Sequence, residues 1–404
     1  MSPADFQFLP AWPLAVTPLA WVAVLLLSAI VVGEAMRRFL RLSRVLGYLL
    51  VGAVLGPHAA GVLDVETLVT LRVFVDIAVG LLLFELGQRV DLGWLRRNPW
   101  LLATSVIEAF LTLFAVYAVM RLFNVPAVTA AAAGVLAIAT SPAVVITLVK
   151  DLRAQGQVTE RVMLLTALNT AYAVVGLALI FGWLHFESAN ASTLMIAHPL
   201  YLIIGSLALA TLLAAVMILL LRFFGRRPTF QFAITVAFVL LTVAAASTLD
   251  LLVPLTLLLL GMLGRVFDRD RHFVSLRFGQ SAMLFIVLLF ALAGAGLQFR
   301  GWLDALPMAL GFIAARYLGK LIPIMLLAKP SSMTARKASL VQLGLTPMSG
   351  LALLMMQDFA QQAPVLSQGI AASMYLAITI LAFAGPMALQ FALVRAGETT
   401  EDEQ

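Results

Sequence analysis

The chain has 404 residues, 62% of them hydrophobic and only 11% charged, with a formal net charge of +6 and no cysteine. A soluble domain averages about 45–50% apolar and about 25% charged residues, so this balance excludes a single water-facing globule and makes lipid the natural solvent. The absence of cysteine excludes disulfides, thiolate metal sites and thiol nucleophiles.

Segments apolar enough to cross a bilayer as helices need about 20 residues. About thirteen recur, near 14–33, 45–62, 72–89, 100–123, 126–150, 160–184, 198–222, 230–249, 251–267, 280–299, 304–328, 336–357 and 367–394. Barrel strands are shorter and alternate in polarity, so the expected fold class is all-α, a polytopic membrane protein. The first segment runs into Glu34, Arg37 and Arg38 rather than a small-residue cleavage site, which argues against a removed leader.

Lys and Arg in short loops mark the cytoplasmic side. They follow the odd-numbered segments: Arg37, Arg38, Arg41 and Arg44; Arg89, Arg96 and Arg97; Lys150, Arg153 and Arg161; Arg222, Arg226 and Arg227; Arg265, Arg269, Arg271 and Arg277; Lys329, Arg336 and Lys337. The alternate loops hold Asp64, Glu66, Glu187, Asp250 and Asp304, with only Arg72, Arg121 and Arg300 against them. The pattern predicts an outside N-terminus and a cytoplasmic C-terminus. It also accounts for the positive charge at lipid headgroups, without a nucleic-acid partner.

Two segments carry a breaker at their middle: Thr140-Ser141-Pro142 in the fifth, and Gly344-Leu345-Thr346-Pro347-Met348-Ser349-Gly350 in the twelfth. Proline removes a backbone hydrogen bond, and unsatisfied backbone at that depth survives only beside protein or a watery cavity. The breaks lie seven segments apart, an odd number, so the two copies run in opposite directions, as inverted repeats with crossed discontinuous helices require. At about 1.5 Å per residue, Glu108, Ser141, Asn169, Thr170, Lys320 and Pro347 all fall roughly 12–16 Å from the cytoplasmic ends, near the midplane. A charge there costs at least about 2.5–3.5 kcal/mol, so Glu108 and Lys320 are expected to face each other or a cavity.

These residues carry a family resemblance. Arg44-Val-Leu-Gly-Tyr-Leu-Leu-Val-Gly-Ala-Val-Leu-Gly-Pro57 resembles the second-helix motif of monovalent cation:proton antiporters, in the bacterial branch of sodium/proton exchangers and potassium-efflux systems. Leu81-Leu-Leu-Phe-Glu-Leu-Gly87 with Asp91 is similar to the third-helix motif, Thr140-Ser141-Pro142 and Gly344–Gly350 to the two crossovers, and Gly319-Lys320 to the basic position of the eleventh helix. The resemblance implies one transmembrane transporter domain over 1–395 and an acidic cytoplasmic tail at 396–404. It implies scaffold and dimer helices at about 14–89 and 198–267, core helices at about 100–184 and 280–394, a homodimer in a bacterial inner membrane, and elevator-like alternating access. It implies a secondary transporter rather than an enzyme, with a monovalent cation, sodium or potassium, and protons as partners and no cofactor.

The departure lies in the sixth helix, where the family carries a carboxylate and this chain has Asn169-Thr170. Ser141 stands where some relatives have a further acid. Thr140, Ser141, Asn169, Thr170 and Thr346 can offer oxygen dipoles to an ion but cannot exchange it for a proton. Glu108 is the acid left at that depth, and desolvation and Lys320 act on its proton in opposite senses. Three readings stay open: an antiporter coupled through Glu108; a relative carrying an anion or other solute drawn to Lys320, Arg316 and the half-helix N-termini; and a transport-inactive sensor or partner subunit. Arg316 shares a face with Lys320 and reads as a structural charge partner, beside the breakers Pro142 and Pro347. Asp76 and Glu85 read as partners for basic residues across an interface. His58, His185, His198 and His272 lie near loops on different helices and suggest no metal site, and the 16 methionines read as packing.

Overall fold

The computed structural model describes residues 18–40, 42–90, 92–189, 192–224, 228–268, 280–297, 302–348 and 350–399. The described residues form helices and no strand. In chain order these are α1 (Pro18–Leu40), α2 (Arg44–Leu55), α3 (Val65–Arg89), α4 (Leu92–Arg97), α5 (Pro99–Leu122), α6 (Ala127–Ile138), α7 (Pro142–Asp151), α8 (Gln157–Ala189) and α9 (Ser192–Phe224). There follow α10 (Pro228–Thr248), α11 (Val253–Phe267), α12 (Gln280–Ala295), α13 (Trp302–Leu326), α14 (Ala335–Gly344), α15 (Gly350–Gln362), α16 (Pro364–Gln368) and α17 (Ala371–Ala396).

Among the described residues, 9 spans are long and apolar enough to cross a membrane, with α6 and α7 together making one of them. Three shorter apolar helices and the pair α14–α15 complete the thirteen crossings expected from the sequence. The second segment ends sooner than its hydropathy suggests, at Leu55, because Gly56 takes an extended conformation ahead of Pro57. The short α4 packs on α5, and α16 on α15 and α17. Of the charges read as orientation signals, Arg41, Arg226, Arg227, Arg269, Arg271, Arg277 and Arg300 lie outside the described residues, as do Asp91, Ser349 and the tail from 400.

Helix starts follow local chemistry. Ser43, Asp64 and Thr334 cap α2, α3 and α14 by accepting from backbone N–H groups of the first turn, and proline opens α5, α7 and α11. Gly397, in the left-handed conformation, closes α17.

Burial sorts the spans. The window through α6 and α7 is 94% buried, whereas that of α1 is 17% buried, so the broken helix lies at the centre and α1 at the lipid margin. Leu27, Phe110, Leu212, Leu219 and Phe223 point outward, as a lipid belt requires. Around the centre, α5 packs on α13 and α6, and α14 on α17 and α8. A second group packs α12 on α2, α3 and α1, and α11 on α3 and α9. The backbones of α3 and α11 touch at Gly87 and Gly261, where a Cβ on either would overlap a main-chain oxygen of the other helix.

Candidate ion-binding site

Both breaks are unwound. The first lies at residues 139–141, on the N-terminal side of Pro142, which itself starts α7. A residue before proline is pushed to extended backbone, and Ser141 has ψ of 107°. The second separates Gly344 from Gly350. The two cross in contact: the Ser141 N–H donates to the Pro347 carbonyl at 2.9 Å, and Thr140 Oγ1 to the Leu345 carbonyl at 3.5 Å.

The breaks leave helix-end carbonyls without helical partners, and the two cations predicted on α13 meet them. Arg316 donates from Nε to Ala137 O at 3.0 Å, and from its terminal nitrogens to Ala139 O at 2.9 Å and to Leu345 O and Thr346 O at 3.1 Å. One planar guanidinium therefore ties the ends of α6 and α14 together. Lys320, one turn on, donates to Ile138 O at 3.0 Å and to Glu108 Oε1. Positive charge at two helix C-termini is what their dipoles favour.

Lys320 reaches Glu108 because α13 and α5 run close together at Gly319, where a Cβ would stand 2.6 Å from Thr112 Cα. Glu108 and Lys320 are both fully buried, and Asn169 Nδ2 of α8 donates to the same Glu108 oxygen at 3.2 Å. Glu108 Oε2 and Asn169 Oδ1 have no partner, and neither do the buried Thr112 Oγ1, Thr166 Oγ1 and Thr346 Oγ1. Thr112 follows Glu108 by four residues and Thr166 precedes Asn169 by three, so each shares a face with its neighbour. The sequence reading passed over both threonines, although that helical spacing was the available signal.

The remaining site residues divide. Thr140, Ser141 and Thr346 lie in the crossing, with Ser141 Oγ accepting from Val144 N at 3.4 Å as the cap of α7. Thr170 Oγ1 is turned back on its own helix, donating to Thr166 O at 2.8 Å. A small cavity adjoins the starts of α7 and α15. It is lined by Ser141, Pro142 and Gly350, by Leu82 and Leu83 of α3, and by Phe290 of α12. Among the described residues no cluster of metal-ligating side chains occurs.

No curated protein sequence matches the chain. Two solved structures of the sodium proton antiporter MjNhaP1 from Methanocaldococcus jannaschii are similar. One, at pH 8, has 16% identity and a TM-score of 0.67, covering 93% of this chain and 95% of that one. The other, an electron-microscopy map, has 16% identity and a TM-score of 0.73, covering 96% and 98%. At that identity the likeness establishes the fold: inverted repeats with two crossed, discontinuous helices. The family model described as sodium/hydrogen exchanger, transmembrane, matches residues 23–395. The chain therefore belongs to the sodium/hydrogen exchanger family of membrane transporters.

Proposed function

We propose that this chain exchanges a monovalent cation, sodium or potassium, for protons, with Glu108 as the coupling carboxylate. The observation that carries the reading is the state of Glu108: a fully buried carboxylate with one oxygen shared by Lys320 and Asn169 and the other unpartnered. Glu108 Oε2, Asn169 Oδ1 and the hydroxyls of Thr112 and Thr166 offer hard oxygen ligands, the donor type that small cations select.

Coupling follows from charge. Lys320 already neutralises Glu108, and Arg316 is matched only by helix-end dipoles. A further cation beside this group adds a positive charge in a low-dielectric centre, where like charges repel strongly. Its binding to Glu108 is therefore linked to release of the proton that Glu108 and Lys320 share. Protonation from the other side reverses the step. The reading of an anion carrier finds less support, because the donors of Arg316 and Lys320 are directed at carbonyls and at Glu108.

The same reading includes a homodimer in a bacterial inner membrane and elevator-like motion of a core containing α5–α8 and α13–α17. The sequence reading put α12 with the core helices; its packing on α1, α2 and α3 supports placing it instead with the scaffold. An outside N-terminus and a cytoplasmic C-terminus are supported by Arg37, Arg89, Lys150, Lys329 and Arg395 at helix ends of one polarity. Reporters fused after Gly397 and near Ser188 should lie on opposite sides of the membrane.

The test of coupling is flux in proteoliposomes. The native chain should move sodium, potassium or lithium against a proton gradient between about pH 5 and 9, a range that spans shifted carboxylates. Glu108→Gln should abolish it and Glu108→Asp should retain part. Unchanged exchange in Glu108→Gln overturns the coupling role, and no cation movement by the native chain overturns the antiporter reading.

A further inference from the structure

The start of α8 is completed by a residue from far along the chain. Helix α8 begins at Gln157, and Gly156 before it has no side chain with which to cap the first turn. The cap comes from Glu398, 240 residues beyond Val158 and just past α17. Its carboxylate accepts from the N–H of Val158, the N–H of Thr159 and the Thr159 hydroxyl, each at 2.8 Å, and its main-chain carbonyl accepts from Gln155 N at 2.8 Å. Two glycines make the approach possible. Gly397, at φ 69°, turns the chain off the end of α17, and a Cβ on Gly156 would overlap the Glu398 carboxyl. Negative charge at a helix N-terminus is also what its dipole favours.

The same helix start holds the neighbours of the ion site. Gln157 donates from Nε2 to Ser332 O at 2.9 Å and accepts from Lys337 Nζ at 3.1 Å, and Arg161 donates to Ser331 O. Those partners lie in the turn after α13 and in α14, the helices that bring Lys320 and the second break to the site. α17, which delivers Glu398, packs on both. Of the charged side chains in this clasp, Glu398 supplies the carboxylate, and Lys337 and Arg161 are cations. From Gln157, α8 runs without a proline to Thr166 and Asn169, about 14 and 18 Å along the axis at about 1.5 Å per residue. A helix without a breaker does not kink sharply, so an axial shift at its start is carried through to these residues. There Asn169 meets Glu108 through a hydrogen bond of 3.2 Å.

Resting on the exchange reading above, we propose that Glu398 is a positioning residue for exchange. Its carboxylate caps α8 from the end of α17 and sets the height at which Asn169 and Thr166 stand beside Glu108 and Lys320. Glu398 touches neither the ion nor the exchanged proton. Its loss therefore changes how well the cation is held rather than how Glu108 gives up its proton.

In flux assays Glu398→Ala should raise KM for the cation about fivefold, the ratio that a lost N-cap supplies, while the maximal rate per folded molecule is kept. Thr159→Val, which removes one donor and leaves the carboxylate in place, should move KM in the same direction by less. A merely structural cap predicts a lower melting temperature and fewer active molecules at the native KM, and that result overturns the positioning role. A second readout needs no transported ion. A Cβ on Gly344 of α14 would stand 2.5 Å from Val162 Cγ2 of α8, so Gly344→Cys with Val162→Cys brings two thiols within disulfide reach. The native chain has no cysteine to compete. Oxidation in membranes should join the pair readily with Glu398 present and about fivefold more slowly in Glu398→Ala. Unchanged KM and unchanged cross-linking in a protein that exchanges cations remove the positioning role alone. Slowed cross-linking in a protein that moves no cation keeps the placement of α8 by Glu398 and removes the exchange reading.

Discussion

The crossing and the inner end of α3 each bury a carboxylate against a lysine, but they satisfy the charges by different means. At the crossing Glu108 and Lys320 are wholly enclosed, and main-chain carbonyls at the ends of α6 and α14 supply most of the partners for the two cations. At α3 the partners of Glu85 are the side chains of Arg89 and Lys150, 36% and 29% exposed, reaching it from two helices. Carbonyls at a half-helix end are fixed by the helix behind them, whereas long side chains near water exchange partners at small cost. The centre is thus built to keep its geometry, and the margin to give it up.

Arg316 is where that contrast breaks most easily. Arg316→Ala leaves four carbonyls, three of them buried and one partly buried, to find new partners, at about 1–3 kcal/mol for each buried one. The variant should lose at least about 3 kcal/mol of stability, measured as a large drop in melting temperature in detergent, and Arg316→Lys should recover only part because an ammonium lacks the planar fork. A native-like melt for Arg316→Ala would mean that the crossing is held together elsewhere.

Lys320 comes next. Lys320→Ala strands the Glu108 carboxylate, and breaking a buried pair costs about 3–5 kcal/mol. Combining it with Glu108→Gln should return much of that stability while exchange stays abolished. Equal stability of the single and double variants would show that the two side chains are not energetically coupled.

A smaller effect is expected from restoring an acid beside Asn169. Thr170→Asp should tighten sodium or potassium binding about tenfold, the ratio that roughly 1.4 kcal/mol supplies, and should partly rescue Glu108→Gln in flux assays. Calorimetry showing no change in cation affinity would place position 170 outside the ion's reach.

The smallest belongs to Ser141. If it serves α7 as a cap, Ser141→Ala costs about 1 kcal/mol and leaves exchange running. Loss of exchange without loss of stability would instead make Ser141 a ligand.

The sequence by itself determined the membrane class, the thirteen crossings and the two breaks. Each depends on features local to one segment: hydrocarbon length, loop charge, or a proline that removes a backbone donor. It also placed Glu108, Asn169 and Lys320 at one depth, because helical rise converts position into height. Height does not fix rotation about the helix axis, and there the tertiary structure decided. Packing of α5 on α13 turned Glu108 to Lys320, while Thr170, one residue from Asn169, was turned back to Thr166 O. Arg316 and Lys320 share a face in the sequence, yet one holds carbonyls and the other a carboxylate, a division set by where the ends of α6 and α14 meet. That Glu85 meets a basic residue across an interface was legible, but that the residue is Lys150 was not, since the two lie on different helices whose neighbourhood exists only once α7 lies against α3.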